Sequence, residues 1–117
     1  MDKNKFMIHV SKKENGRQTR HFLQEVSGYI DNDLQVGFTF DKYKQFKATD
    51  ILTGRLIVSG CGMDLQYHID IFMQNCIDTV KEMRLAYWYN DAVKIFDILR
   101  EQGEPITERK LRSLVIK

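Results

Sequence analysis

A chain of 117 residues is one domain's worth of polypeptide, long enough to bury a single core and too short to divide into two stable ones. A hydrophobic share of 43% with 18 basic against 16 acidic residues excludes a disordered tail, and a net charge of +2 excludes broad, sequence-blind attraction to nucleic acid or an anionic membrane. Any anion site must therefore be local.

The stretch from Met1 to Lys13 is interrupted by Lys3, Lys5, His9, Lys12 and Lys13, so it offers neither the apolar segment of a signal peptide nor a membrane span, and the expected location is the cytosol. From Lys5 to Lys13, Phe6, Ile8 and Val10 alternate with Met7, His9 and Ser11, the period of a half-buried strand. After the turn signal Glu14-Asn15-Gly16, the spacing of Phe22, Leu23, Val26 and Ile30 predicts a helix from Arg17 to Ile30. Asp31-Asn32-Asp33 breaks that pattern, and Leu34, Val36, Phe38 and Phe40 return to a strand period. Lys42 to Lys47 mixes charge and aromatics and gives no clear period. Thr53-Gly54 marks a turn, and Arg55 to Ser59 reads as a central strand ending at Gly60-Cys61-Gly62.

Asp64 can cap a long helix whose stripe is Leu65, Ile69, Phe72, Met73, Cys76, Ile77 and Val80. A second helix begins near Asn90, buries Ala92, Val93, Ile95, Phe96 and Leu99, and stops at Gly103 before Pro105. The tail from Ile106 begins a further helix with Thr107 as cap and is the most basic segment, through Arg109, Lys110 and Arg112 against Glu108. The expected fold is α+β, one domain over residues 1–117: a single antiparallel or mixed sheet from the N-terminal half, with two long helices from the C-terminal half packed on it.

Cys61 and Cys76 lack the paired spacing of a zinc site or a redox motif, and His9, His21 and His68 form no close pair along a helix, so no metal and no cofactor are expected. Cys61 beside a helix N-terminus has the position of a nucleophile, but no orienting group accompanies it, and a small buried cysteine in a glycine turn is the plainer reading. Asp70 and Asp78, eight apart, are too distant for a paired acid and base. The Ser59–Asp64 turn suits a phosphate through its backbone N–H groups, although Asp64 as a cap would occupy the same donors. Of the consecutive aromatics Tyr87-Trp88-Tyr89 at least one must be partly exposed; beside Asn90 it can stack on a nucleobase, or the rings cover the core and Asn90 caps the next helix. Arg109 and Arg112, three apart, present guanidinium forks that suit phosphate oxygens if the tail is helical.

The order Ile8-His9-Val10-Ser11-Lys12-Lys13 with Gly16-Arg17, then Gly60-Cys61-Gly62-Met63-Asp64 opening a helix, resembles small proteins carried by bacteriophages. With the aromatic-Asn segment and the basic tail, the chain is similar to the first family of Thoeris anti-defence proteins. That resemblance implies a non-enzymatic sponge in the bacterial host cytoplasm, sequestering a cyclic ADP-ribose-type immune signal without cleaving it. It also implies a homodimer or higher homo-oligomer with nucleotide pockets near subunit interfaces, some relatives also holding cyclic oligonucleotides. Arg17, Trp88, Asn90, Arg109 and Arg112 are the ligand-binding residues it suggests, by chemical suitability and approximate place. Two other readings remain open. One is a DNA-binding module using helix, Gly turn and basic helix from Asp91 to Val115; the other is a phage inhibitor of a host protein.

Overall fold

The computed structural model describes residues 3–14, 18–40, 45–61 and 65–116. Six strands and three helices follow in the order β1 (Lys3–Glu14), β2 (Gln18–Asp31), β3 (Val36–Phe40), β4 (Gln45–Asp50), β5 (Leu56–Cys61), α1 (Leu65–Leu85), α2 (Tyr89–Gln102), β6 (Ile106–Thr107) and α3 (Glu108–Ile116). The sheet runs β1-β2-β3-β4-β5 with every pairing antiparallel, and β6 joins β2 separately. The fold is α+β, with the sheet mostly from the N-terminal half and the helices from the C-terminal half, as the patterning predicts. No helix among the described residues is long and apolar enough to cross a membrane.

The segment after the first turn is the main correction. Gln18–Asp31 is not a helix but the second arm of a long hairpin, paired with β1 from Lys3↔Tyr29 to Glu14↔Gln18. The spacing of Phe22, Val26 and Ile30 is four, which is one helical turn and also two strand repeats, so it cannot separate the two. What decides is the alternating strand opposite, which sets Phe6 against Val26 and Val10 against Phe22.

Asp31 closes β2 with its side chain: Oδ1 accepts from the N–H groups of Asp33 and Leu34 at 3.0 and 3.2 Å. Residues 41–44 lie outside the described residues, and the chain re-enters as β4. The expected central strand is displaced: β5 lies at the end of the sheet and pairs only with β4 among the described strands. Its apolar run is explained by α1 lying against it, which half-buries Ile57 and Val58.

Two clusters form the core. Under α1, Val36, Phe38 and Ala48 meet Cys76 and Val80, with Phe72 and Ile57 at the margin. Cys76 is free and buried, and burial pushes its thiol pKa up. Around α2 and α3, Leu99, Ile106 and Leu111 pack with Leu23, Ile95 and Ile98. Gly103, in the left-handed region at φ 68°, ends α2 and donates its N–H to the Leu99 carbonyl. Thr107 caps α3, its Oγ1 accepting from the Lys110 N–H at 3.3 Å.

Candidate binding cavity between the hairpin and the C-terminal helices

The register of the hairpin builds a polar floor. Ser11 lies opposite His21 and His9 opposite Leu23, and alternate residues of a strand share a face, so the two imidazoles meet diagonally. Oγ of Ser11 and Nε2 of His9 approach Nδ1 of His21 at 2.9 and 3.0 Å. His21 is buried, and its Nε2 has no hydrogen-bond partner among the described residues.

A glycine brings in the first cation. The His9 N–H donates to the Gly54 carbonyl at 2.8 Å, tying β1 to the β4–β5 turn. Gly54 has φ +67°, and a Cβ there would stand 2.8 Å from the His9 nitrogen, so a side chain would be both strained and obstructed. Its neighbour Arg55 lines the cavity, and the guanidinium carbon sits 5.4 Å from the Trp88 ring centroid, a cation–π distance.

The helices close the other side. Asp91 and Ile95 come from α2, and Glu108, Leu111, Arg112, Val115 and Ile116 from α3, around a cavity of about 280 Å³. Arg112 Nη2 donates to Glu108 Oε1 at 3.4 Å across one helical turn. Two guanidiniums thus stand against two carboxylates. Burial first, then the neighbouring His21 and Arg55, pushes His9 down to about 4. Burial also lowers His21, with Glu108 acting against it and Arg55 with it. Both shifts favour the neutral imidazole.

Ser11 beside His21 has the contact of a nucleophile and its base. In such a pair a third group orients the second ring nitrogen, whereas here His9 and Ser11 share Nδ1 and Nε2 is unpartnered. The cluster is suited to hydrogen-bonding an incoming oxygen.

A second polar cluster is structural. Asp50, fully buried, accepts from Thr53 Oγ1 at 2.9 Å, Tyr89 Oη at 2.7 Å and Arg84 Nη2 at 3.1 Å, and Arg84 also donates to the Leu34 carbonyl at 2.6 Å. Burial and the hydrogen bond to Asp50 push Tyr89 up to about 12, so it stays a donor. The cluster ties the end of α1 and the start of α2 to the sheet.

The residues singled out from sequence are not all brought together. Arg112 lines the cavity, and Trp88 reaches it through Arg55. Arg109 lines a neighbouring cleft with Gln18, Thr19, Thr107 and Glu108. Asn90 is exposed in the first turn of α2, which starts one residue earlier; the cap position is Trp88 with no side-chain cap, so the capping role given to Asn90 is corrected. Of the three aromatics, Tyr87 is 97% exposed and Tyr89 is buried. Arg17 and the Gly62-Met63-Asp64 turn, with Asp64 as cap, lie outside the described residues, as do the side chains of Cys61, His68 and Asp70. Sequence reasoning missed His9, His21, Ser11, Arg55 and Asp91. The strand alternation that puts His9 and Ser11 on one side of β1 is the signal for two of them, while His21 was hidden by the helical reading of its segment. No protein-family model, no curated protein and no solved structure matches the chain.

Proposed function

We propose that the chain is an anti-defence sponge that binds a cyclic ADP-ribose-type signalling nucleotide in this cavity and holds it without turnover. The observation that carries the reading is the convergence of two guanidiniums, Arg55 and Arg112, on a cavity with an imidazole floor and an apolar wall. Guanidinium forks match diphosphate oxygens, the Asp91 carboxylate can accept from ribose hydroxyls, and Ile95, Leu111 and Val115 offer apolar surface to a nucleoside. At about 280 Å³ the cavity is slightly smaller than the roughly 300–1,000 Å³ usual for small-molecule sites, so part of such a nucleotide would extend past the rim. The rim carries Ile116, 85% exposed, and a second copy of the chain covering it would complete the pocket.

The test is to incubate the purified protein with a nucleotide extract from cells with an activated Thoeris system, wash, heat-denature and analyse the released fraction by mass spectrometry. An unchanged cyclic ADP-ribose isomer is the expected result; a converted product would make the protein an enzyme, and no retained nucleotide would overturn the reading. Arg55→Ala and Arg112→Ala should each weaken binding by about 1.5–3 kcal/mol, the cost of a lost charged hydrogen bond. Arg109→Ala, in the neighbouring cleft, should matter only for a ligand long enough to pass Glu108.

The exposed side of α3 favours one further reading, contact with DNA, because Arg109 and Lys110 are exposed on its outer surface. Binding to duplex DNA that weakens steeply with salt and is lost in a double Arg109→Ala, Lys110→Ala variant would support it.

A further inference from the structure

We infer that the His9–His21 pair is the anion-recognising end of the cavity, seating an oxygen of a diphosphate and taking up one proton from solvent as it does so. The inference rests on the nucleotide-binding reading for its cavity but extends to any diphosphate, and it breaks no bond of the ligand.

The first argument is a count of charge. Among the described residues, the charged groups lining the cavity are Arg55 from the β4–β5 turn, Asp91 from α2, and Glu108 and Arg112 from α3, which sum to zero. Arg112 is partly committed to Glu108 at 3.4 Å. A diphosphate diester carries two negative charges, and its burial in a cavity of zero net charge leaves them uncompensated. Among the described lining residues, the imidazoles alone have an ordinary titration near neutral pH.

The second argument is where the added proton would sit. In the neutral pair a single proton serves the contact between His9 Nε2 and His21 Nδ1, with Ser11 Oγ beside it. One more proton puts an N–H on both nitrogens of one ring. On His21 this leaves Nδ1–H donating to His9 and creates an Nε2–H donor at the buried atom that now has no partner. An oxyanion at that position supplies the missing acceptor and stabilises the cation. The buried, unpartnered Nε2 and the added charge are then explained by the same occupant.

Burial and Arg55 lower both rings, His9 to about 4. A bound dianion acts in the opposite direction, so proton uptake and binding are linked. Affinity should rise as pH falls below neutral, by up to about tenfold per pH unit for one proton.

The experiment uses inorganic pyrophosphate on the intact protein, with the Cε1–H resonances of His9 and His21 followed by NMR between pH 4 and 8. Expected is an upward move of the titration midpoint of at least one of the two rings by about a unit or more on saturation, absent in His21→Gln. Calorimetry in two buffers of different ionisation enthalpy should give a proton uptake near pH 6 that falls by up to one proton in His21→Gln, the comparison of parent and variant cancelling the ionisation of pyrophosphate itself. Pyrophosphate binding with unmoved midpoints and no proton exchange overturns the inference, as does no pyrophosphate binding at any pH. Cyclic ADP-ribose, titrated in parallel, separates the two ideas. If it binds with no proton uptake, the sponge reading survives and this inference falls; if pyrophosphate alone shows the linkage, the inference survives and the sponge reading falls.

Discussion

The Asp50 carboxylate is the residue on which the junction of sheet and helices depends, because it is fully buried and, among the described residues, three side chains hydrogen-bond to it. Removing its cation leaves a buried charge with two hydroxyl donors. Arg84→Ala should therefore cost about 3–5 kcal/mol, the usual penalty for breaking a buried pair, read as a lowered denaturant midpoint. Tyr89→Phe should cost less, about 1.5–3 kcal/mol, since the Arg84 contact survives. An Arg84→Ala variant as stable as the parent would show that the network contributes nothing net. His9 gives a pH prediction with a definite sign. Its pKa is about 4 when folded against about 6.5 for a free imidazole, so the unfolded chain binds more protons in that window. Its contribution to stability is fully present above pH 6.5 and is lost as the pH falls towards 4. Thermal melts should show that decline in the parent and a shallower one in His9→Gln.

Among the elements, the β4–β5 turn links fold and site. It places the Gly54 carbonyl against the outer edge of β1 and Arg55 over Trp88. Gly54→Ala meets both a left-handed φ and the His9 nitrogen, so it should destabilise by more than the roughly 1–2 kcal/mol that a left-handed backbone costs a residue with a Cβ, and displace Arg55 from the cavity. Reduced stability together with weakened pyrophosphate binding is the expected pair of results. Unchanged values of both would show that the turn can relax away from β1. The hairpin teaches the complementary lesson about legibility. β1 was readable because its apolar residues alternate strictly, whereas β2 carries Phe22, Val26 and Ile30 at a spacing common to both periods, and Leu23 beside Phe22 imitates a helix face. Gly103 and Thr107 were readable at once, since each acts through local backbone geometry.

At the scale of the whole molecule, the two core clusters divide the work. One fixes α1 on β3, β4 and β5, and the other holds α2 and α3 on the hairpin, leaving the cavity where the hairpin, the β4–β5 turn and the last two helices meet. Leu85 and Ile116 at helix ends and Tyr87 in the turn between α1 and α2 remain at least 85% exposed. If a second copy completes the pocket over Ile116, light scattering after size exclusion should return a dimer, and Ile116→Glu should shift it towards monomer with loss of nucleotide retention. A monomer that retains nucleotide would place the whole site within one chain.

The amino-acid sequence by itself determined the α+β order, the stop of α2 at Gly103 and the start of α3 at Thr107, the strand character of β1 and the need for one exposed ring among Tyr87-Trp88-Tyr89, because each follows from backbone preference or from periodicity within a few residues. Only the tertiary structure decided that Gln18–Asp31 is a strand, that β5 lies at the sheet's end, and that His9, His21, Arg55 and Arg112 line one cavity while Arg109 lines another. Those outcomes depend on which residues stand opposite one another across a hairpin and a turn, a relation between distant positions that no local pattern encodes.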